Sequence, residues 1–268
     1  MALRSLPEAF SSNGASNGMP MVPGQFHWLA NHLLCPGLVF AVAVTWLGPL
    51  HGDLWIADQL YALEGHAWSL NENLIAQHLI HIGGRRLSAM AWLGVVLAWM
   101  VSWRVPALRE WRRPLLYLWV SVLLSTVLVG AIKRGSGVDC PWDLLRYGGG
   151  RAYFGWFSSR PAGMPAASCF PAGHAGAGYA WVALYFFFLA QRPAWRWRGL
   201  VIGLIVGATF GFAQQLRGAH FLSHDLWTLM ICWSIALLLH AVMLAPRRAD
   251  NLSGATSTSA PVVVRDAR

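Results

Sequence analysis

The chain has 268 residues, 56% of them hydrophobic and only 12% charged, with a mean hydropathy of +0.45. That much apolar surface exceeds what one soluble core can bury, so a bilayer is the natural solvent. The net charge of +9 calls for no nucleic-acid partner, because the arginines fall largely in short loops where they mark the cytoplasmic side and meet anionic headgroups.

Residues 1–30 are polar and rich in Gly, Ser and Pro, without a secretory signal, and are expected to form a disordered cytoplasmic lead-in. Residues 31–246 read as a membrane domain with six apolar stretches, at about Leu33–Leu50, Leu87–Trp103, Leu115–Ile132, Ala175–Gln191, Gly199–Leu216 and Leu226–Ala245. Each approaches the roughly 20 residues that cross the hydrocarbon as a helix. The expected fold class is therefore all-α, a polytopic membrane bundle of six transmembrane helices, with an amphipathic outer segment from Leu54 to about Leu79. Residues 247–268 are expected to be a disordered cytoplasmic tail.

Arginine placement gives an orientation. Arg104, Arg109, Arg112 and Arg113 lie between the second and third stretches, Arg192, Arg196 and Arg198 between the fourth and fifth, and Arg247 and Arg248 after the last. These segments should face the cytoplasm, whereas Asp53, Asp58, Glu64 and Glu72 between the first two stretches suit the outer side. The loops 133–174 and 217–225 then share the outer side, which in a bacterial inner membrane is the periplasm. Ionisable groups at such membrane-embedded ends are costly unless paired or used.

Lys133 is the only lysine, at the end of the third stretch, where it can snorkel to the interface or hold an anion. Phe170-Pro171-Ala172-Gly173-His174 leads into the fourth stretch. That puts His174 in a first helical turn beside unpaired backbone N–H groups, where anions bind and where a histidine can cap the helix or protonate a leaving oxygen. Pro171 and Gly173 allow a close backbone approach. In Arg217-Gly218-Ala219-His220-Phe221-Leu222-Ser223-His224-Asp225, a continuous helix would place Arg217, His220 and His224 on one face, with Asp225 slightly rotated. A nucleophilic histidine needs a carboxylate to fix its tautomer and cations to hold the phosphate it attacks, so Asp225 and Arg217 are the expected partners of His220.

Cys140 and Cys169 both fall in the outer loop and can form a bridge or stay free thiols, whereas Cys35 and Cys232 lie within spans. Sixteen tryptophans suit interfacial anchoring. No cofactor motif occurs. His78 and His81 share a possible helical face but lack a third ligand, so surface or headgroup contacts are favoured over a metal.

Lys133 followed by Pro141, the Pro-Ala-Gly-His at 171–174 and the Gly-Ala-His-Phe at 218–221 resemble the three motifs of the type-2 phosphatidic acid phosphatase superfamily. The resemblance implies six spans and a metal-independent membrane phosphatase with no cofactor. Lys133 would bind phosphate, His174 would be the general acid and His220 would carry a phosphohistidine. The motifs also depart from the family pattern. Cys140 stands where an arginine precedes the proline, Ala172 replaces a serine, Gln214 replaces an arginine and His224 replaces an aspartate. Arg134, Arg146 or Arg151 could supply the first missing cation; Arg217 and Asp225 could supply the displaced pair. A second alignment makes His224 the nucleophile, but Thr228 then offers no carboxylate, and His220 is preferred.

Candidate substrates include phosphatidic acid, phosphatidylglycerol phosphate, undecaprenyl pyrophosphate and lipid A phosphates, with membrane lipids as the other partners. The same site could serve a lipid phosphotransferase, and the scaffold could serve a non-catalytic lipid- or anion-binding protein or transporter. The sequence names no oligomeric state.

Overall fold

A computed structural model describes residues 27–71, 82–155, 161, 163 and 167–245. Most of the lead-in, the His78 and His81 pair, Arg247, Arg248 and the tail lie outside the described residues. The described chain is helical, with no strand beyond an isolated bridge between Leu144 and Arg151.

Two compact units are formed, Met1–Leu38 and Val39–Arg268. In the first, a π-helical turn spans Ala30–Leu34, the Trp28 ring stacks on His32 and His32 Nδ1 donates to the Trp28 carbonyl at 2.8 Å. Helix α1 (Cys35–Leu47) begins there and continues the chain. The second unit holds α2 (Gly52–Leu63), α3 (Gly84–Ser102), α4 (Arg112–Gly135), α5 (Gly173–Tyr179), α6 (Ala183–Gln191), α7 (Arg196–Leu216) and α8 (Leu222–Met243). A 3-10 turn at Ala180–Val182 joins α5 to α6 as one rod.

Among the described residues, four stretches are long and apolar enough to cross a membrane: His27–Leu47, Pro106–Gly135, Pro193–Leu216 and Leu222–Met243. The protein is an integral membrane protein. The expected second and fourth spans are also helical, as α3 and the α5–α6 rod, but α3 opens on Arg85 and Arg86 and the rod changes to 3-10 geometry midway. Of the amphipathic segment expected from Leu54 to about Leu79, the part from 72 onward lies outside the described residues. Helix α2 stops at Leu63, and Gly65 and His66, both at positive φ, turn the chain away.

Close packing around α7 sets the positions of the helix ends. Gly199, Gly203, Gly207 and Gly211 recur once per turn along it. A Cβ at Gly203 would lie 2.5 Å from the Val182 backbone nitrogen, and one at Gly178 would lie 2.5 Å from the Gly207 Cα. The rod and α7 therefore meet backbone to backbone, as small-residue stripes allow in lipid. Tyr117, Val122, Val182, Phe186 and Cys232 fill the buried core between α4, the rod and α8, while Leu87, Leu93 and Leu97 on α3 remain exposed, as a face meeting lipid would be.

Candidate functional site

The last turn of α4, the first turns of α5 and α8 and the end of α7 converge. A disulfide joins Cys140 to Cys169, with Cα atoms 5.3 Å apart, and Cys169 N–H donates to the Val138 carbonyl at 3.0 Å. The loop after α4 is thereby fastened to the approach of α5. The start of α5 is in turn tied to α8, since Ala172 N–H donates to the His224 carbonyl and Thr228 Oγ1 donates to the Ala172 carbonyl at 3.2 Å. His174 sits in this first turn. Gly173 leaves room for Lys133, whose Cδ would be 3.3 Å from a Cβ at that position.

His220 is buried, with Nδ1 3.4 Å from His224 Nδ1, and both rings interact with the Cys169 backbone. Burial above all, then the nearby Lys133 and His224, holds the His220 pKa well below 6.5, with His174 acting in the same direction. The ring is therefore neutral at neutral pH and keeps a lone pair for attack. Lys133, His174, His220 and His224 are the residues the fold gathers.

The continuous helix expected across 217–225 does not form. Helix α7 ends at Leu216, Gly218 adopts a φ of +68° and α8 begins at Leu222, so Arg217 and His220 lie in the connection. Arg217 is buried and its guanidinium is engaged elsewhere: Nε and Nη2 donate to the Asn71 carbonyl at 3.1 and 2.9 Å, and Nη1 donates to Gln214 Oε1 at 3.4 Å. Asp225 does not orient His220 either. Its Oδ2 accepts from Gln215 Nε2 within α7, and Gly211 provides the space for the carboxylate. Both departures have one cause. Breaking the helix at Gly218 rotates the two charged residues away from the face that continuous helical spacing would give them.

The loop arginines also have other partners. Arg146 forms two 2.7 Å hydrogen bonds with Asp58, and that pairing holds the Asp58 carboxyl below the usual carboxylate range. Arg151 pairs with Asp139, and Arg134 is exposed. Of the proposed phosphate-binding residues, only Lys133 and Gly173 lie together at the histidines.

Asp53 is a site residue that sequence reasoning read only as a marker of the outer side. Its Oδ1 accepts the Ser223 N–H at 2.9 Å, fixing the start of α8, and burial pushes its carboxyl up to about 6. A lone aspartate in the apolar run around Leu54-Trp55-Ile56 was the available signal. Asp53 and His224 also border a cavity of about 620 Å³ whose other walls include Ile132, Phe170, Trp227 and Ile231. Among the described residues, the group of three that could hold a metal is Cys140, Asp143 and Cys169, and both of its sulfurs belong to the disulfide.

Chemically, the cluster offers a neutral imidazole, a second histidine at a helix start and one ammonium, and through His224 it reaches the edge of the apolar cavity. That set suits nucleophilic attack on an anionic centre attached to an apolar group. Residues 114–248 match the sequence model of the PAP2 superfamily. No curated protein and no solved structure matches the chain.

Proposed function

The chain belongs to the PAP2 superfamily, whose members are generally phosphatases, and from that premise we propose that it hydrolyses a lipid phosphomonoester or pyrophosphate through a phosphohistidine at His220. The observation that carries this reading is the buried, neutral His220 beside Lys133 and His174, with its neighbour His224 lining the apolar cavity. The cavity has the volume of a small-molecule site and walls suited to an acyl or prenyl chain.

In the reaction, the His220 lone pair forms a bond to phosphorus as the bond from phosphorus to the leaving oxygen breaks. Protonated His174 gives its proton to that oxygen. Water then attacks phosphorus, passes a proton to His174 and restores the His220 lone pair, and hydrogen phosphate departs. Lys133 and the backbone N–H groups led by Gly173 hold the phosphate oxygens and stabilise the charge that develops. No step calls for a metal.

We further take α3 and the α5–α6 rod as spans, giving six, with the site facing the periplasm of a bacterial inner membrane. The arginine-rich segments at the opposite ends of these helices support that orientation. The test is phosphate release from a panel of lipid phosphates by detergent-solubilised protein. His220→Ala should lower turnover at least about 1,000-fold, as loss of a covalent nucleophile does, and activity should survive strong chelation. Normal turnover in folded His220→Ala protein would overturn the assignment. Transfer of phosphate to an added lipid in place of water would make the protein a phosphotransferase with the same nucleophile.

A further inference from the structure

A nucleophilic imidazole must present an unprotonated nitrogen, so its single proton has to be held on the other one. The usual holder is a carboxylate, and the carboxylate next to His224 in sequence is unsuited to the task. Asp225 is bonded to Gln215 and lodged against Gly211. Asp53 accepts from the Ser223 N–H at the start of α8. Among side chains, what faces His220 Nδ1 is His224 Nδ1, at 3.4 Å, while the Cys169 backbone interacts with both rings and holds the pair together.

We propose that His224 is the positioning residue for His220. The His220 Nδ1–H donates to His224 Nδ1, which keeps the lone pair on His220 Nε2 for attack on phosphorus, while His224 carries its own proton on Nε2. The opposite arrangement, with His224 as donor, would place the His220 proton on Nε2 and remove the nucleophile. His224 is suited to this role by its fixation. It lies in the first turn of α8, its carbonyl accepts the Ala172 N–H, its ring packs edge-on against Phe170 and Phe221, and Thr228 Oγ1 donates to its carbonyl at 2.9 Å. It also borders the apolar cavity, which His220 itself does not line. When His220 bonds to phosphorus its Nδ1–H becomes more acidic, and a neutral imidazole acceptor shares that proton until water releases the phosphate.

The proposal rests on the hydrolase reading above, and the experiment separates the two. Phosphate release is measured for wild type, His224→Phe, His224→Asn and His224→Asp, each checked for a monodisperse detergent complex and a wild-type melting curve. Phenylalanine keeps the ring and removes the acceptor, so kcat should fall roughly 10- to 100-fold, the usual effect of losing an orienting partner, with KM little changed. Asparagine and aspartate restore an acceptor oxygen and should recover part of kcat. Aspartate should also move the acid limb of kcat/KM to higher pH, because a carboxylate favours protonated His220. The other ionisable groups around the pair, Lys133 from α4, His174 from α5 and Asp53 from α2, are unchanged in all variants.

The ring ¹⁵N shifts of wild-type His220 give a readout independent of activity and of variant folding, with Nδ1 expected to be protonated and Nε2 bare. Wild-type kcat in His224→Phe, equal impairment of all three folded variants, or the opposite tautomer would overturn the proposal. Absence of phosphate release by wild type from every lipid phosphate would sink the hydrolase reading, and the tautomer measurement would still decide the His220–His224 geometry.

Discussion

Replacing both Cys140 and Cys169 by serine tests how the histidine pair is held in place. The bridge closes a loop with a sequence separation of 29, for which the chain-entropy relation gives about 3.6 kcal/mol at 25 °C. Native-state adjustment reduces such values, so a loss of roughly 2–4 kcal/mol is expected. The functional effect has a separate origin. The Cys169 backbone interacts with both His220 and His224, and its N–H is anchored on the Val138 carbonyl at 3.0 Å. Freeing that segment should therefore lower kcat as well as stability. Tryptophan fluorescence during thermal unfolding in detergent, with and without reductant, measures the first quantity, and phosphate release measures the second. Reductant should shift wild type towards the double variant and leave the variant itself unmoved. A double variant with wild-type melting and turnover would refute the clamp. Equal sensitivity of both proteins to reductant would place the effect outside the bridge.

Three further outcomes follow from the geometry. Gly218→Ala forces a side chain into a left-handed residue, costing roughly 1–2 kcal/mol, and sets its Cβ 2.5 Å from the Trp68 ring; a lower melting temperature and reduced turnover are expected, and an unchanged melting curve would contradict the packing. Arg146→Ala breaks an exposed pair with Asp58, worth less than about 1 kcal/mol, so phosphate release should stay near wild type, whereas Lys133→Ala should lower kcat/KM strongly. Finally, a His220 pKa held below 6.5 keeps the nucleophile unprotonated as pH falls through that value. The acid limb of kcat/KM should therefore lie below 6.5, and a limb above it would count against a buried, neutral His220.

The parts of the molecule legible in the sequence are those set by local pattern. Apolar stretches located the helices, and Pro171-Ala172-Gly173-His174 correctly marked a helix start. Cys140 and Cys169 share one connecting segment of the sequence, and the fold joins them. The illegible parts depend on residues distant in sequence. Nothing near Arg217 announces that its guanidinium will close on the Asn71 carbonyl, 146 positions away. Nothing near Asp53 announces that it will receive the Ser223 N–H, 170 positions on. The expectation for Asp225 failed for a local reason. Helical spacing was extended across Gly218, where a positive φ ends one helix, and a side chain counted as facing His220 was turned towards α7.

The two charged residues that replaced family positions only in sequence, Arg217 and Asp225, are therefore fasteners. Arg217 pins the connection after α2 to the end of α7, and Asp225 pins α8 to α7 through Gln215 and Gly211. With those two charges occupied, Lys133 is the cation gathered with the histidine pair, and a second imidazole stands beside His220 where a carboxylate would be usual. Such a site relies on burial and fixed geometry more than on opposed charges to keep His220 neutral and aimed. It follows that fastening residues remote from His220, among them Arg217, Asp53 and the bridged cysteines, should affect kcat in this chain through the placement of its ring and leave the charge on that ring unaltered.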